Sequence, residues 1–222
     1  MMKKFKEKLN DFNRVLEIGG PSSHPNDIIY QTKAPIDGCN HKTNIWQGEI
    51  TSQTYRNGGV QYFGDALDFE MPFKEYDVIY ACHVLEHMAN PIKALLHWKK
   101  FLKNEGFIYL VLPEKSHCFD HKRPTTTIET LIDKFDRDVD ESDLSSLSEI
   151  LKFHDLSLDR RAGKPRCTPE QFKARSLGNF NNRCLHHHVF DFDLLEQVCE
   201  SIGMRVFDKE IINGLNQHII FT

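Results

Sequence analysis

The stretch from Asp77 to Pro113 constrains the fold more than any other part of the 222-residue chain. Asp77-Val78-Ile79-Tyr80-Ala81-Cys82 is a continuous apolar run, the pattern of a strand buried on both faces of a parallel sheet. A helix is predicted next, with Asn90 suited to the N-cap and Pro91 to the first helical position. Ile92, Leu95, Leu96 and Leu102 lie close to one face, and Lys99, Lys100 and Lys103 occupy the last turn, where positive charge suits the helix dipole. Asn104-Glu105-Gly106 ends this helix, and Phe107-Ile108-Tyr109-Leu110-Val111-Leu112 reads as a second buried strand, closed by Pro113. Strand, helix and strand within ~35 residues make a βαβ unit, with parallel strands and a right-handed crossover. The expected class is therefore α/β, with a Rossmann-like, mostly parallel sheet.

The flanks are read around that unit. Residues 3–12 look like a short charged helix leading in, and Arg14-Val15-Leu16-Glu17-Ile18 reads as a buried strand stopped by Gly19-Gly20-Pro21. Residues 22–58, rich in Asn, Thr, Pro and Gly, receive no element, and Val60-Gln61-Tyr62-Phe63 is a short strand. From 114 to about 190 apolar periodicity weakens, with helices expected near 127–137 and 141–153. Order returns with a helix near 192–202 and strands at 204–212 and 217–222. One domain over 1–222 is expected, with 114–190 inserted before its last helix and strands as a polar, acceptor-binding cap.

Composition narrows the function. The chain is 40% hydrophobic and 27% charged, enough for a sizeable core. Its net charge of -4 gives no global basic field to recruit nucleic acid. The run Phe107–Leu112 is the longest apolar one, far short of the ~20 residues of a membrane helix. The first residues carry lysines without the apolar stretch of a secretory signal. The six cysteines are scattered, with no Cys-x-x-Cys pair, which argues against a zinc ribbon or disulfide scaffold. A cytoplasmic protein with reduced thiols is expected, and the oligomeric state stays open.

Glu17-x-Gly19-Gly20 closes the first strand, where glycines let backbone approach a ligand; a plain turn would look the same. Asp65, after the strand 60–63, suits an exocyclic amine of adenine or an Asx turn. Residues 83–88 fall at the carboxyl edge of the sheet, where ligands of open α/β sheets bind.

These residues carry a family resemblance. Val15-Leu16-Glu17-Ile18-Gly19-Gly20 resembles the first motif of class I methyltransferases that use S-adenosylmethionine (SAM). Tyr76-Asp77-Val78-Ile79-Tyr80-Ala81-Cys82-His83-Val84-Leu85-Glu86-His87 is similar to their fourth-strand motif. Asn90-Pro91, Leu102-Lys103-Asn104-Glu105-Gly106 and Leu110-Val111-Leu112-Pro113 keep the family's order and spacing, and the pattern resembles the methyltransferase type 11 group. The resemblance implies SAM as cofactor. It implies that Glu17 holds the cofactor's amino group side through the loop or water, and that Gly19 and Gly20 lie under the methionine moiety. Asp65 and Ala66 match the adenine-binding pair, and His83 the position lining the methionine end. The ribose-gripping carboxylate has no clean match, and Asp37 is taken for it. The third glycine is absent, and Pro21-Ser22-Ser23-His24-Pro25 stands where a helix would start.

His83-Val84-Leu85-Glu86-His87 also fits H-x-x-E-H, the inverted zinc-protease signature. That mechanism needs both histidines on one helix face, and a strand entering His83 with a helix starting at Asn90-Pro91 leaves no room. No metal is expected. His186-His187-His188 cannot all face one ion from a regular strand or helix.

The insertion carries Phe119-Asp120-His121-Lys122-Arg123-Pro124, His154-Asp155, Asp159-Arg160-Arg161 and Asn181-Asn182-Arg183. Arginine binds carboxylate or phosphate bidentately, so Arg123, Arg160, Arg183, His187 and His188 are candidates for the acceptor; solvated charge is the plain alternative. His87, Asp120, His121 and His154 are the candidate bases. Phe119–Pro124 and Asn182–Phe190 resemble motifs of bacterial methyltransferase-like proteins associated with surface-glycan genes. Together these point to methyl transfer onto a hydroxyl of a small molecule or glycan precursor. A non-catalytic binding protein in glycan assembly and a metal-dependent hydrolase stay open.

Overall fold

The computed structural model describes residues 2–22, 27–41, 43–44, 48–49, 54–72, 75–159 and 167–222. Seven strands form the main sheet: β1 (Val15–Ile18), β2 (Ile36–Asn40), β3 (Gln61–Phe63), β4 (Tyr76–Cys82), β5 (Leu102–Pro113), β6 (Val206–Ile212) and β7 (Asn216–Phe221). Their order is β3-β2-β1-β4-β5-β7-β6. β3, β2, β1, β4 and β5 run parallel, while β7 is antiparallel to both β5 and β6. The order reverses between β1 and β4, so the switch point, where open sheets bind ligands, lies at their carboxyl ends.

Alternation along the strands builds two cores. Leu16, Ile18, Ile79, Leu110 and Ile219 face one side. There they meet Ile92, Leu95 and Trp98 of α2 (Pro91–Lys99) and Leu194, Leu195 and Val198 of the C-terminal helix Phe192–Ser201. Val15, Val78, Tyr80, Val111 and Ile220 face the other side, against Phe5, Leu9, Ile28 and Ile29. This second face is covered by α1 (Lys3–Lys6), a helical turn at Ile28–Gln31 and irregular chain. The expected helix over 3–12 thus shrinks to one turn.

The βαβ unit is as expected, with one shift. Asn90 accepts from the Lys93 amide and caps α2. The helix stops at Lys99, and Leu102 already pairs in register with Tyr76, so Lys103 belongs to β5 and not to a last turn. The cause is local: the Lys100 and Phe101 amides bond three residues back, tightening the end. β2 has no counterpart in the sequence reading. Ile36-Asp37-Gly38-Cys39-Asn40 has weak strand propensity, and pairing with both β1 and β3 makes it a strand. Gly38 is needed there, because a Cβ would lie 2.5 Å from the Tyr55 ring.

Between β5 and the last helix lie α3 (Ile128–Asp136), α4 (Leu147–Phe153), α5 (Pro169–Leu177) and α6 (Asn179–Asn182); the C-terminal helix is α7. Ile150, Phe172, Cys184 and Leu185 form a small core of their own within this insertion. No helix among the described residues is long and apolar enough to cross a membrane.

Candidate active site

A cleft of about 170 Å³ opens at the switch point. β1 ends there in Ile18, followed by Gly19, β2 leads into it with Cys39, Asn40 and His41, and Gly64, Asp65 and Ala66 follow β3. The loop after β4 adds His83, Val84, His87 and Met88, and the insertion closes the far side with Asn181, Asn182 and Arg183.

The glycine loop is shaped by its neighbours. Gly19 has a left-handed backbone (φ 73°), and a Cβ there would lie 2.5 Å from Val84. Gly20 lies against Glu17 and Tyr55, and a Cβ on it would come within 2.3 Å of the Glu17 carboxylate. Glu17 is fully buried beneath this loop. It accepts from the Ser22 amide (2.8 Å), the Tyr55 hydroxyl (3.0 Å) and the Tyr30 hydroxyl. Burial pushes its carboxyl up, against the pull of these donors. Glu17 therefore holds the loop from below and does not line the cleft.

Asp37 is corrected. It is the second residue of β2, at the opposite end of the strand from the cleft. Arg14 Nε (2.7 Å), the Tyr76 hydroxyl (2.8 Å) and the Val60 amide (2.9 Å) all donate to it. The residue at the carboxyl end of β2 is Asn40, which sequence reasoning passed over because it sought a carboxylate. Asn40 donates to Gln61 (3.2 Å), while its buried Oδ1 has no hydrogen-bond partner among the described residues.

Comparison with known proteins decides the family. A family model described as a methyltransferase domain matches residues 2–206. The chain belongs to that methyltransferase family. Among solved structures, a SAM-dependent methyltransferase from Aquifex aeolicus superposes with a TM-score of 0.50 at 9% identity, over 99% of this chain and 87% of that one. A protein described as a sarcosine dimethylglycine methyltransferase from Galdieria sulphuraria gives 0.52 at 12% identity, over 99% and 81%. A mitomycin 7-O-methyltransferase gives 0.50 at 10% identity, over 96% and 50%. At such identities the likeness is one of fold. No curated protein matches the sequence.

The residues of the methyltransferase fit its cofactor. Gly19 offers bare backbone, and the open Oδ1 of Asn40 suits a hydroxyl donor. Asp65 and Ala66 follow β3 and line the cleft, and His83 does so after β4. His83 is itself left-handed (φ 54°), with Nε2 3.0 Å from Asn216. One side chain crosses the cleft: Arg183 donates to Asp65 at 2.7 Å. The remaining space is below the ~300 Å³ at which ordinary ligand sites begin.

The insertion residues sort differently from the sequence reading. Of the four expected bases, only His87 lines the cleft. The His154 side chain packs inside the insertion, stacked on Phe119 and bonded to Asp159 at 2.6 Å. His121 pairs with Asp155 at 3.1 Å, outside the cleft. Asp120 is buried beneath His186 and Arg123, and their positive charge and hydrogen bonds hold its carboxyl well below its usual range despite burial. Arg123 is equally buried and binds Asp120, Glu149 and the carbonyls of His186 and His187, so it is a structural staple and not an acceptor ligand. His187 meets Asn179 (2.9 Å), and His188 meets the Ala89 carbonyl (3.2 Å). Burial lowers these two imidazoles to about 4 and about 3, leaving them neutral packing groups. Arg160 lies outside the described residues. Of the expected acceptor ligands among the described residues, Arg183 alone reaches the cleft, together with Asn181 and Asn182.

Proposed function

We propose that this methyltransferase acts on a hydroxyl of a small molecule or glycan precursor, bound between the strand-end cleft and the insertion. The observation that carries the reading is the roofing of the switch-point cleft by Asn181, Asn182 and Arg183. The sugar or phosphate character of the acceptor rests on the motif resemblance of Phe119–Pro124 and Asn182–Phe190.

Gly19 backbone, Asn40, Asp65, Ala66 and His83 are the residues that would hold SAM. When bound, SAM supplies an electrophilic methyl group on a sulfur that leaves uncharged. The chain contributes alignment, worth ~7–11 kcal/mol in well-oriented reactions. Arg183 swings from Asp65 to make room for the nucleoside and becomes available to an anionic acceptor. His87, beside Val84 and Met88, is the histidine that faces the acceptor hydroxyl. The six free cysteines support a reducing, cytoplasmic setting.

A second reading, a cofactor-binding protein without transfer, is favoured by the Arg183–Asp65 pair across the cleft. Calorimetric titration with SAM and with S-adenosylhomocysteine, followed by radiolabelled methyl transfer onto a panel of sugars and sugar phosphates, separates the two. Saturable binding, weakened tenfold or more in Asp65→Ala, and label on a sugar hydroxyl are expected. Binding without label on any acceptor favours the second reading. No binding of either ligand at millimolar concentration overturns both.

A further inference from the structure

Where the cofactor cleft meets the insertion, Glu86, His87 and His186 bring three ligand atoms within 4.8 Å of one another. They come from two distant segments, the turn after β4 and the extended chain before α7. The His87 and His186 rings meet edge to face at 4.5 Å between centroids. We propose that these three side chains form a binding site for a divalent first-row transition metal.

Four observations support it. Two imidazoles and one carboxylate are a known ligand set for catalytic zinc, which leaves a fourth position open. The same set disfavours magnesium and calcium, which prefer all-oxygen sites. The carboxylate is 2% exposed, and a buried anion is stabilised by a cation. The surroundings are those of a metal ligand: His186 Nδ1 meets Asp120 Oδ2 at 2.6 Å, and Arg123 in turn grips Asp120 at 3.0 Å. With Nδ1–H kept on the carboxylate, a metal would take the place of the Nε2 proton of His186, as in the carboxylate–histidine–metal relay. Ligand distances of about 2.0–2.2 Å call for a modest closing of the three side chains. The Glu86 backbone is tied to the insertion by the His188 amide at 3.4 Å.

The H-x-x-E-H pattern therefore acquires a different meaning. Residues 85–87 form a single turn, not a protease helix, and His83 places Nε2 3.0 Å from Asn216 and Nδ1 3.5 Å from the Glu86 carboxylate. Glu86 and His87 find their third partner 99 residues on, in the triple-histidine run. The role of the ion rests on the methyl-transfer reading. His87 also lines the cleft, so an ion held by these three side chains would lie beside it. A hydroxyl bound there loses its proton to solvent more readily, and its oxygen forms the bond to the methyl carbon as the carbon–sulfur bond breaks. His87 is then a ligand, and no protein base is needed.

The test is titration of the chelator-dialysed full chain with Zn²⁺ alone, by calorimetry and metal analysis. One equivalent is expected, with a dissociation constant in the micromolar range or below. His186→Ala and Glu86→Gln should each remove it, and Asp120→Asn should weaken it ~10–100-fold while keeping the stoichiometry. Should His186→Ala fail to fold, Glu86→Gln and the visible absorption of Co²⁺ bound to the unmodified chain carry the decision. No uptake of Zn²⁺ by the unmodified chain, or uptake unchanged in Glu86→Gln, overturns the site. S-adenosylhomocysteine titration of the metal-free chain stands apart: its failure beside intact zinc uptake would sink the methyl-transfer reading and leave the site in place.

Discussion

Asp37 and Asn40 stand on one strand, three residues apart, and do unrelated work. Asp37 neutralises Arg14 and accepts from Tyr76 at the closed end of the sheet. Asn40 lines the cleft and carries a buried carboxamide oxygen with no hydrogen-bond partner among the described residues. Asn40→Ala is expected to weaken S-adenosylhomocysteine binding about fivefold, the loss of a hydrogen bond worth ~1 kcal/mol. Asp37→Asn should leave that affinity unchanged and cost ~1–3 kcal/mol of stability, since the buried Asp37 would no longer offer a charged acceptor to the half-buried Arg14. Calorimetry and urea unfolding on the same samples read both effects. An affinity loss in Asp37→Asn with Asn40→Ala unaffected would return the ribose site to Asp37. The sequence could not separate them, because the register of β2 is set by pairing with β1 and β3. Gly19, Asp65 and His83 were legible for the opposite reason: each follows a strand whose apolar run marks its own end.

At the scale of elements the insertion is the least legible part. Its Asp, Arg and His residues read from sequence as solvated or substrate-facing, yet Asp120, Arg123, Asp159, His186, His187 and His188 are all buried. Asp120, Arg123 and His186 partner one another, across 63 residues for Arg123 and the His186 carbonyl, while Asp159 meets His154, His187 meets Asn179 and His188 meets the Ala89 carbonyl; no periodicity reveals such pairing. Arg123 is the centre of this network, tying the chain after β5 to the histidine run. Arg123→Ala is expected to destabilise the insertion by ~3–5 kcal/mol, because Asp120 would keep a buried charge with one partner lost. Arg123→Lys should restore little, since an ammonium lacks the fork that reaches a carboxylate and two carbonyls together. Hydrogen exchange checks this: amides of α3 to α6 should lose protection while those of β1, β4 and β5 keep it. Uniform loss across both would show that the insertion and sheet unfold as one unit.

The whole molecule is a sheet with unequal sides. One face meets α2 and α7, and that side was legible because apolar residues recur at helical spacing. The other face is closed by one turn of α1, the turn at Ile28–Gln31 and loops, whose covering role no periodicity announces. Aromatic rings make up for the missing helices there. Phe5 is fully buried and packs on Phe12 (5.5 Å), Phe107 (5.6 Å) and Tyr109 (5.3 Å). Phe107 pairs with Val78, near the amino end of β4 and away from the cleft after Cys82. Phe5→Ala is therefore expected to cost ~3–5 kcal/mol of stability through lost burial and the cavity left behind. The affinity of the remaining folded protein for S-adenosylhomocysteine should stay within about twofold, because neither the glycine loop nor β3 touches that ring cluster. A urea midpoint that falls while calorimetric affinity holds would show that the two ends of the sheet are energetically separate. If affinity fell with the midpoint, the thin face would be a support for the glycine loop, passed on through the Tyr109, Tyr80 and Tyr30 rings that meet edge-on or tilted from Phe5 toward Glu17.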